Sequence, residues 1–336
     1  MAATSQVLRQ SRFAPSFREA VDLIAEPLTD PGPGEIRVRN HWCGVNGIFD
    51  TQIARNAVSY VPVHLPTYTG VEAIGVVEAV GDGVTDFKRG DAAVTVRFTW
   101  GYRERATAPA AHFIRVPSPI SDYLALASTG VSALLALDHT GALRPGETVA
   151  ISAAAGGLGH LMVQLAKQRG AHVVAVCGGA QKVDFVRGLG ADRVIDYKTE
   201  DVAAVLAAEY PAALNVAIDT VSGPIFDAFV DNLARHGRLV VAGAAQDLDG
   251  QPEIVTAPRI AHKIYYKGAS IRGFMNGLLT DLWPQARETL FSLLDEDKIK
   301  VTFDSVRFRG LHQVPDAVEH LLSGRSMGKV VVDLRP

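Results

Sequence analysis

The heptapeptide AAAGGLG at residues 153–159 is the stretch whose residue types and spacing are best suited to chemistry. It follows a strand-like run, TVAIS (148–152), and opens a helical one from Leu158 to Arg169, the setting a dinucleotide-binding fingerprint requires. On the G-x-G-x-x-G spacing, Ala154 takes the first glycine position, Gly156 the second and Gly159 the third. Gly156, Gly157 and Leu158 would bring the amides of the helix start close to a pyrophosphate, and Gly159 would let the helix pack tightly on its sheet. Cofactors with a free 2′-hydroxyl are held by an acid about 20 residues further on, at the end of the second strand. Here that place reads Cys177-Gly178-Gly179-Ala180-Gln181-Lys182, with no carboxylate. Small residues leave room for a 2′-phosphate, and Lys182 can pair with one. NADPH is therefore expected over NADH.

Such a turn needs a parallel sheet behind it, and the chain supplies the pattern. From about residue 121, strands alternate with helical stretches, one of them from about Gln181: TVAIS, VVAV (173–176), RVID (193–196), LNVAID (214–219) and GRLVVAG (237–243). Near-continuous apolar strands of this kind indicate a sheet covered on both faces. ASIRGF (269–274) reads as one more strand, followed by a helix at about 281–295. Before residue 120 the character differs. EIRVRNHW (35–42), VEAIGVVEAV (71–80), DAAVTV (91–96) and HFIRVP (112–117) are strand-like runs broken by Gly, Pro and Asp, the mark of a compact β unit. The tail, ending in GKVVVDL (328–334), returns to that style. The expected organisation is a discontinuous domain, 1–118 with 298–336, into which a dinucleotide-binding domain, 119–297, is inserted.

Composition bounds the partners. The 336 residues are 48% hydrophobic and 21% charged, with 33 basic against 36 acidic side chains and a formal charge of −3. A chain of this make-up buries a full core and is neither disordered nor drawn as a whole to nucleic acid or an anionic membrane. Its two cysteines, Cys43 and Cys177, exclude a disulfide framework and a four-cysteine zinc lobe. No stretch approaches the 18 apolar residues of a membrane span. The N-terminus is rich in Ser and Arg and poor in acid, as transit sequences are, but it runs into strand-like VLRQ and reads as part of the fold. A cytoplasmic location is expected.

Several motifs, in order along nearly the whole chain, carry a family resemblance: CGVNGIFD (43–50), GVEAIGVVEAVG (70–81), DFKRGDAAV (86–94), AAAGGLG, GAQKVDFVRGLGADRVIDY (179–197) and GRLVVAG. The chain resembles the zinc-free quinone oxidoreductase and prostaglandin-reductase-like branch of the medium-chain dehydrogenase/reductase superfamily. The resemblance implies an α/β fold class: a Rossmann doubly wound parallel sheet plus a GroES-like β-rich catalytic domain, with a cleft between them. Zinc-dependent members carry Gly-His-Glu where this chain reads Gly70-Val71-Glu72. An apolar side chain thus replaces the metal-binding imidazole, and Cys43 reads as a small buried hydrophobe. No metal is expected. Alcohol oxidation needs an alkoxide, and zinc lowers the pKa of bound water from ~15.7 to about 7, a difference on the order of 12 kcal/mol. Conjugate reduction needs less help, because the developing charge spreads into an enolate or quinol anion that ordinary hydrogen-bond donors can stabilise. A small hydrophobic enone or quinone is the expected substrate.

By the same resemblance, Asn46 lies beside the nicotinamide, where its amide would orient the ring or a substrate carbonyl; a loop asparagine capping a turn is the plainer alternative. Thr129, Thr220, Gly243, Phe274 and Ser326 match positions lining the cofactor cleft, and Tyr197 with Lys182 matches the surroundings of the adenosine phosphate. Phe49, Tyr60, Trp100 and Tyr102 would supply substrate wall, with two or three of the region's aromatics touching substrate. Tyr68, where relatives often carry an acid, is a candidate proton donor, as is water. The loop NGIFDTQ is one residue longer than common versions, which leaves the role of Asp50 open. The family also suggests a homodimer, with ASIRGF pairing edge to edge across a two-fold axis. Two other readings stay open: an NADPH-binding structural or regulatory protein with little turnover, and a zinc-free carbonyl or alcohol dehydrogenase.

Overall fold

The computed structural model describes residues 3–58, 62–247 and 253–335. Two compact units emerge: residues 1–128 with 303–336 (unit 1), and residues 129–302 (unit 2).

In unit 1, strand β1 (Thr4–Gln10) is followed by one helical turn, α1 (Phe17–Ala20), whose Ser16 cap accepts from the Glu19 N–H, and by β2 (Val21–Pro27). β1 and β2 pair antiparallel along their full length, Thr4 opposite Pro27 and Gln10 opposite Val21. Strand β3 (Glu35–Gly44) alternates buried and half-buried residues, as a strand with one face on a core must. It leads through Asn46 into helix α2 (Gly47–Ala54). The short β4 (Thr67–Tyr68) adds to the free edge of β1. Then come β5 (Glu72–Val80), β6 (Ala92–Thr95), β7 (Arg105–Pro109), β8 (Ile114–Val116) and helix α3 (Ser121–Ala125).

Unit 2 opens inside a helical run in which α4 (Val131–Leu135) is flanked by two π-turns, Leu126–Gly130 and Ala136–Thr140. The alternating series follows: β9 (Thr148–Ile151), α5 (Gly159–Gln168), β10 (His172–Cys177), α6 (Ala180–Gly188), β11 (Arg193–Asp196), α7 (Val202–Glu209) and β12 (Leu214–Asp219). It continues through α8 (Gly223–Asp231), β13 (Leu233–Val241), α9 (Ala261–Tyr265), β14 (Ser270–Gly273) and α10 (Trp283–Asp295). Among the described residues these strands form one parallel sheet in the order β11-β10-β9-β12-β13-β14. That is the doubly wound order, whose direction reverses between β9 and β12 and leaves a crevice at the strands' carboxyl ends. The sheet's middle is wholly apolar: Val149, Ala150, Ile151, Val174, Ala217 and Ile218 are fully buried.

The chain then returns to unit 1 with β15 (Phe308–Arg309), helix α11 (Val314–Leu322) and β16 (Val331–Asp333). β16 pairs antiparallel with β3, which makes the order β15-β16-β3-β5-β6-β8, with β7 also on β3. The unit changes fall at 128/129 and 302/303 rather than at the expected 118/119 and 297/298. Residues 119–128 stay with unit 1 because Tyr123, Leu124 and Ala125 of α3 are buried against β3 and β5. Residues 298–302 stay with unit 2 because α5 holds their backbone. Gln164 exchanges two 2.9 Å hydrogen bonds with Lys300, and His160 Nε2 accepts from the Thr302 N–H at 3.1 Å. No helix among the described residues is long and apolar enough to cross a membrane.

Candidate active site

The carboxyl ends of the parallel strands in unit 2 gather most of the residues expected to hold a cofactor. After β9 the chain turns through Ala153 at φ 46°, a left-handed conformation that strains a residue bearing a Cβ. The Gly156 N–H closes this turn on the Ala153 carbonyl at 2.9 Å. Gly156, Gly157 and Leu158 then lead into α5, where the His160 N–H bonds the Gly156 carbonyl at 3.0 Å and the Met162 N–H the Leu158 carbonyl at 3.1 Å, so the turn and the helix run on from one another. The positive end of the helix dipole there suits an anion. Gly159 is obligatory: a Cβ there would lie 2.4 Å from the Ala153 carbonyl oxygen and 2.6 Å from Ala154 Cα.

After β10 come Gly178 and Gly179. A Cβ on Gly178 would stand 2.4 Å from the Tyr197 ring, so that ring, in a side chain still 51% exposed, lies directly over the glycine backbone. Asp196, ending β11, accepts from the N–H groups of Gly179 (2.8 Å) and Lys198 (3.0 Å), which hold its carboxyl below the usual range. Lys198 Nζ is 3.9 Å from where a Gly179 Cβ would be. Lys182 occupies the first turn of α6. Its charge opposes part of the effect of burial, which pushes the Cys177 thiol up to about 11.

At the crossover, Ser152 Oγ donates to Asp219 Oδ1 and accepts from the Thr220 N–H, both at 2.8 Å. A Cβ on Gly243 would approach the Thr220 carbonyl oxygen to 3.0 Å. Phe274, just beyond β14, donates its N–H to the Val241 carbonyl and borders an open depression of about 500 Å³ with Met275 and Leu278. Thr129 opens unit 2 inside the helical run, away from the strand ends in sequence. Ser326 belongs to unit 1, in a turn held by Asp304, whose Oδ2 accepts from the Met327 N–H at 2.7 Å. A turn of small residues at a helix start, with bare glycines beneath an aromatic ring and Lys182 and Lys198 beside them, fits an anionic dinucleotide.

Unit 1 contains a buried polar cluster. Asn46 is the N-cap residue of α2 yet makes no capping bond with its side chain. Its Nδ2 donates instead to Glu72 Oε1 at 3.0 Å, and its Oδ1 accepts from Lys329 Nζ at 3.3 Å. Lys329 also donates to the Val45 carbonyl at 2.9 Å and pairs with Glu72 Oε1 at 2.6 Å, the two side chains being 4% and 0% exposed. Gly44 makes room for this pair: a Cβ there would lie 2.3 Å from Glu72 Oε1. Asp50 Oδ2 accepts from Tyr102 Oη at 2.6 Å and from the Asn46 N–H at 3.2 Å. Burial nonetheless pushes the Asp50 carboxyl up to about 7, and raises the Cys43 thiol and the Tyr102 phenol as well. Among the described residues no group of three or more His, Cys, Asp or Glu side chains could hold a metal ion.

The aromatic residues are arranged differently from the expected wall. Tyr102 is fully buried, edge-on to Phe17 with its hydroxyl on Asp50. It is therefore a core residue and cannot touch substrate in this conformation. Tyr68 donates its hydroxyl to Glu26, a bond that raises its pKa, so its proton is committed to that carboxylate. The Arg103 guanidinium lies between the Tyr68 and Trp100 rings, 4.6 and 4.5 Å from their centroids, and this stack accounts for much of both side chains. Phe49 stays half-buried on α2, edge-to-face with Phe98 at 5.7 Å. Tyr60 lies outside the described residues.

Sequence reasoning missed Lys329, Lys198 and His160, and left Glu72 and Asp50 without partners. Lys329 and Glu72 did carry a signal, since each is a charge at the head of an apolar strand run. His160 gave none. It is fully buried, and because Nε2 accepts from the Thr302 N–H, Nδ1 carries the proton and donates to the Gly156 carbonyl at 2.9 Å.

Residues 32–118 match the alcohol dehydrogenase GroES-like domain, and residues 157–292 match the zinc-binding dehydrogenase family. Prostaglandin reductase-3 of Mus musculus is 34% identical over 341 residues, spanning 98% of this chain and 90% of that protein. The chain is a medium-chain dehydrogenase/reductase. A probable quinone oxidoreductase of Leishmania amazonensis is 32% identical to this medium-chain dehydrogenase/reductase over 326 residues, 95% of each chain. The solved structure of Escherichia coli quinone oxidoreductase complexed with NADPH matches it at a TM-score of 0.81 and 27% identity, over 98% of this chain and all of that one. The family read from the motifs is the family the relatives share, with the expected Rossmann and β-rich parts.

Proposed function

We propose that this medium-chain dehydrogenase/reductase is an NADPH-dependent reductase that adds hydride, without a metal, to the conjugated C=C of α,β-unsaturated ketones or to quinones. The broader assignment, an NADPH-dependent oxidoreductase, rests on the relatives and on the lysine-flanked glycines after β10, beside which the Asp196 carboxylate is taken up by the Gly179 and Lys198 N–H groups. Metal independence is carried by one observation: the Glu72 carboxylate is already neutralised by the Lys329 ammonium at 2.6 Å. The neighbouring Val71 offers no ligand atom, and Cys43 is a buried thiol disinclined to ionise. These donors do not fit zinc.

When bound, NADPH supplies a hydride. Gly156, Gly157 and Leu158 would hold its pyrophosphate, and Gly178, Gly179, Lys182, Lys198 and Tyr197 the adenosine phosphate. Thr129, Thr220, Gly243, Phe274 and Ser326 are further candidates for contact with the cofactor. We assign Asn46 to the substrate carbonyl, whose oxygen gains charge as hydride adds at the β-carbon; a donated N–H stabilises that charge. Solvent water protonates the α-carbon, since Tyr68 is engaged by Glu26. Phe49 and the exposed part of Trp100 remain candidates for the substrate wall. Two buried free thiols suit a reducing compartment, and we assign the enzyme to the cytoplasm. We also propose a homodimer formed through β14, which stands at one end of the parallel sheet and, among the described residues, has one strand edge unpaired.

Titration with NADPH and NADH, followed by the nicotinamide absorbance with a panel of enones and quinones, tests the assignment. Tighter binding of NADPH and turnover of conjugated substrates are expected. Tight binding without turnover of any of them would mark a binding protein instead.

A further inference from the structure

Asn46 stands at an N-cap position and declines to cap, so something else sets its side chain. Its amide has four hydrogen-bonding places: two N–H donors and two lone pairs on the oxygen. One N–H is taken by Glu72 Oε1, and one lone pair by Lys329 Nζ. Reversing the amide would set its NH₂ against an ammonium and its oxygen against a carboxylate. Both contacts repel, so the buried charges fix the flip. Lys329 is in turn fixed, because its three N–H groups meet Glu72 Oε1, the Val45 carbonyl and Asn46 Oδ1. The Asn46 backbone N–H is held by Asp50, which Tyr102 orients.

We propose that Lys329 and Glu72 are positioning residues that lock the Asn46 amide into one orientation, leaving a single Nδ2–H as its working donor. The inference rests on the reading above that Asn46 serves the reduction, and it specifies how. Asn46 acts as a hydrogen-bond donor to a carbonyl oxygen, because its own oxygen is engaged by an ammonium. The ion pair acts by orientation: with the oxygen held by the cation and one N–H by the carboxylate, the remaining N–H is fixed in direction, which favours substrates with a carbonyl acceptor.

The test uses the full chain and a charge-balanced double variant, Glu72→Gln with Lys329→Met, which leaves no lone buried charge. Its first readout is the pair of side-chain ¹⁵N–¹H signals of Asn46 in the protein without cofactor, identified by their loss in Asn46→Ala. In the parent, one of the two protons should be shifted downfield beyond the ordinary separation of an asparagine amide pair and be slow to exchange; in the double variant that extra shift and protection should shrink. The second readout is turnover of an enone. The double variant should lose about 10²-fold in kcat with the KM for NADPH unchanged, and should lose nothing further when combined with Asn46→Ala. Unchanged Asn46 signals, or losses that multiply in the combined variant, overturn the proposal. Should the double variant not fold, Asn46→Asp decides: it keeps the Lys329 contact but has no N–H, so it should be as slow as Asn46→Ala, and parent-like turnover overturns the donor role. An Asn46→Ala variant with parent kcat would instead overturn the participation of Asn46 in the reaction, whatever its amide signals show.

Discussion

Asp50 and Lys329 show what burial does to charge in unit 1. Asp50 is 3% exposed and titrates near 7, well above an unfolded-chain carboxyl. Between those two values the folded state holds a proton that the unfolded state has lost, so stability present at low pH is lost as pH rises through about 7. Asp50→Asn removes this titration while its single oxygen can still accept from Tyr102 and Asn46, which both use one Asp50 oxygen. Urea unfolding from pH 4 to 8 should show the variant gaining on the parent by up to ~4 kcal/mol as pH rises. Lys329→Met alone is expected to cost about 3–5 kcal/mol, since it strands Glu72 as a buried lone charge. Adding Glu72→Gln should recover most of that loss. At this scale the sequence was partly legible. The glycines, Tyr197 and Lys182 could be singled out because close approach and charge leave marks in residue type. Tyr102 was misread because an aromatic residue in a loop carries no sign of whether it faces outward or, as here, reaches down to a buried Asp50.

At the scale of elements, the turn from β9 into α5 has the least freedom. Gly159→Ala would press a methyl group into the Ala153 carbonyl and Ala154 Cα, and either the helix or the turn must shift. Isothermal titration should show NADPH affinity reduced at least tenfold, with the thermal midpoint also lowered. Parent-like affinity would mean that this turn does not set the cofactor site. The parallel strands were legible as uninterrupted apolar runs between helices, and each lies within a few residues of its expected place. β2 and β7 were not. Val21–Pro27 alternates half-buried and exposed residues after a buried Val21 and ends on a proline, and Arg105–Pro109 is short and rich in alanine. Both are strands because of what they pair with, β1 and β3, and pairing of that kind is not written locally. The helical run across residues 121–140 was passed over for a related reason. Its Ala and Leu residues favour a helix, but Ser128, Thr129 and Gly130 interrupt the pattern at its middle, and burial of Leu124, Leu126, Leu134 and Leu137 carries the helix through them.

For the whole molecule, the change of style near residue 120 and its reversal in the tail point to a discontinuous unit, while the first boundary depends on the burial of α3 and the second on hydrogen bonds from Gln164 and His160, which no composition shift reveals. Assembly also belongs to this scale. If β14 pairs with its counterpart in a second copy, light scattering should give twice the 35.9 kDa chain mass, and a proline placed at Ile271 should return the protein to a monomer. On the proposed reading, a nicotinamide hydride reaches a conjugated electrophile whose carbonyl is supported by Asn46, itself held by Lys329 and Glu72, rather than by a metal. The most direct test of that reading is steady-state turnover by protein dialysed against a strong chelator and shown by elemental analysis to be metal-free. NADPH consumption with a simple enone or quinone should proceed at the undialysed rate, with no oxidation of saturated alcohols by NADP⁺. Loss of turnover on chelation, restored by zinc, would contradict the account.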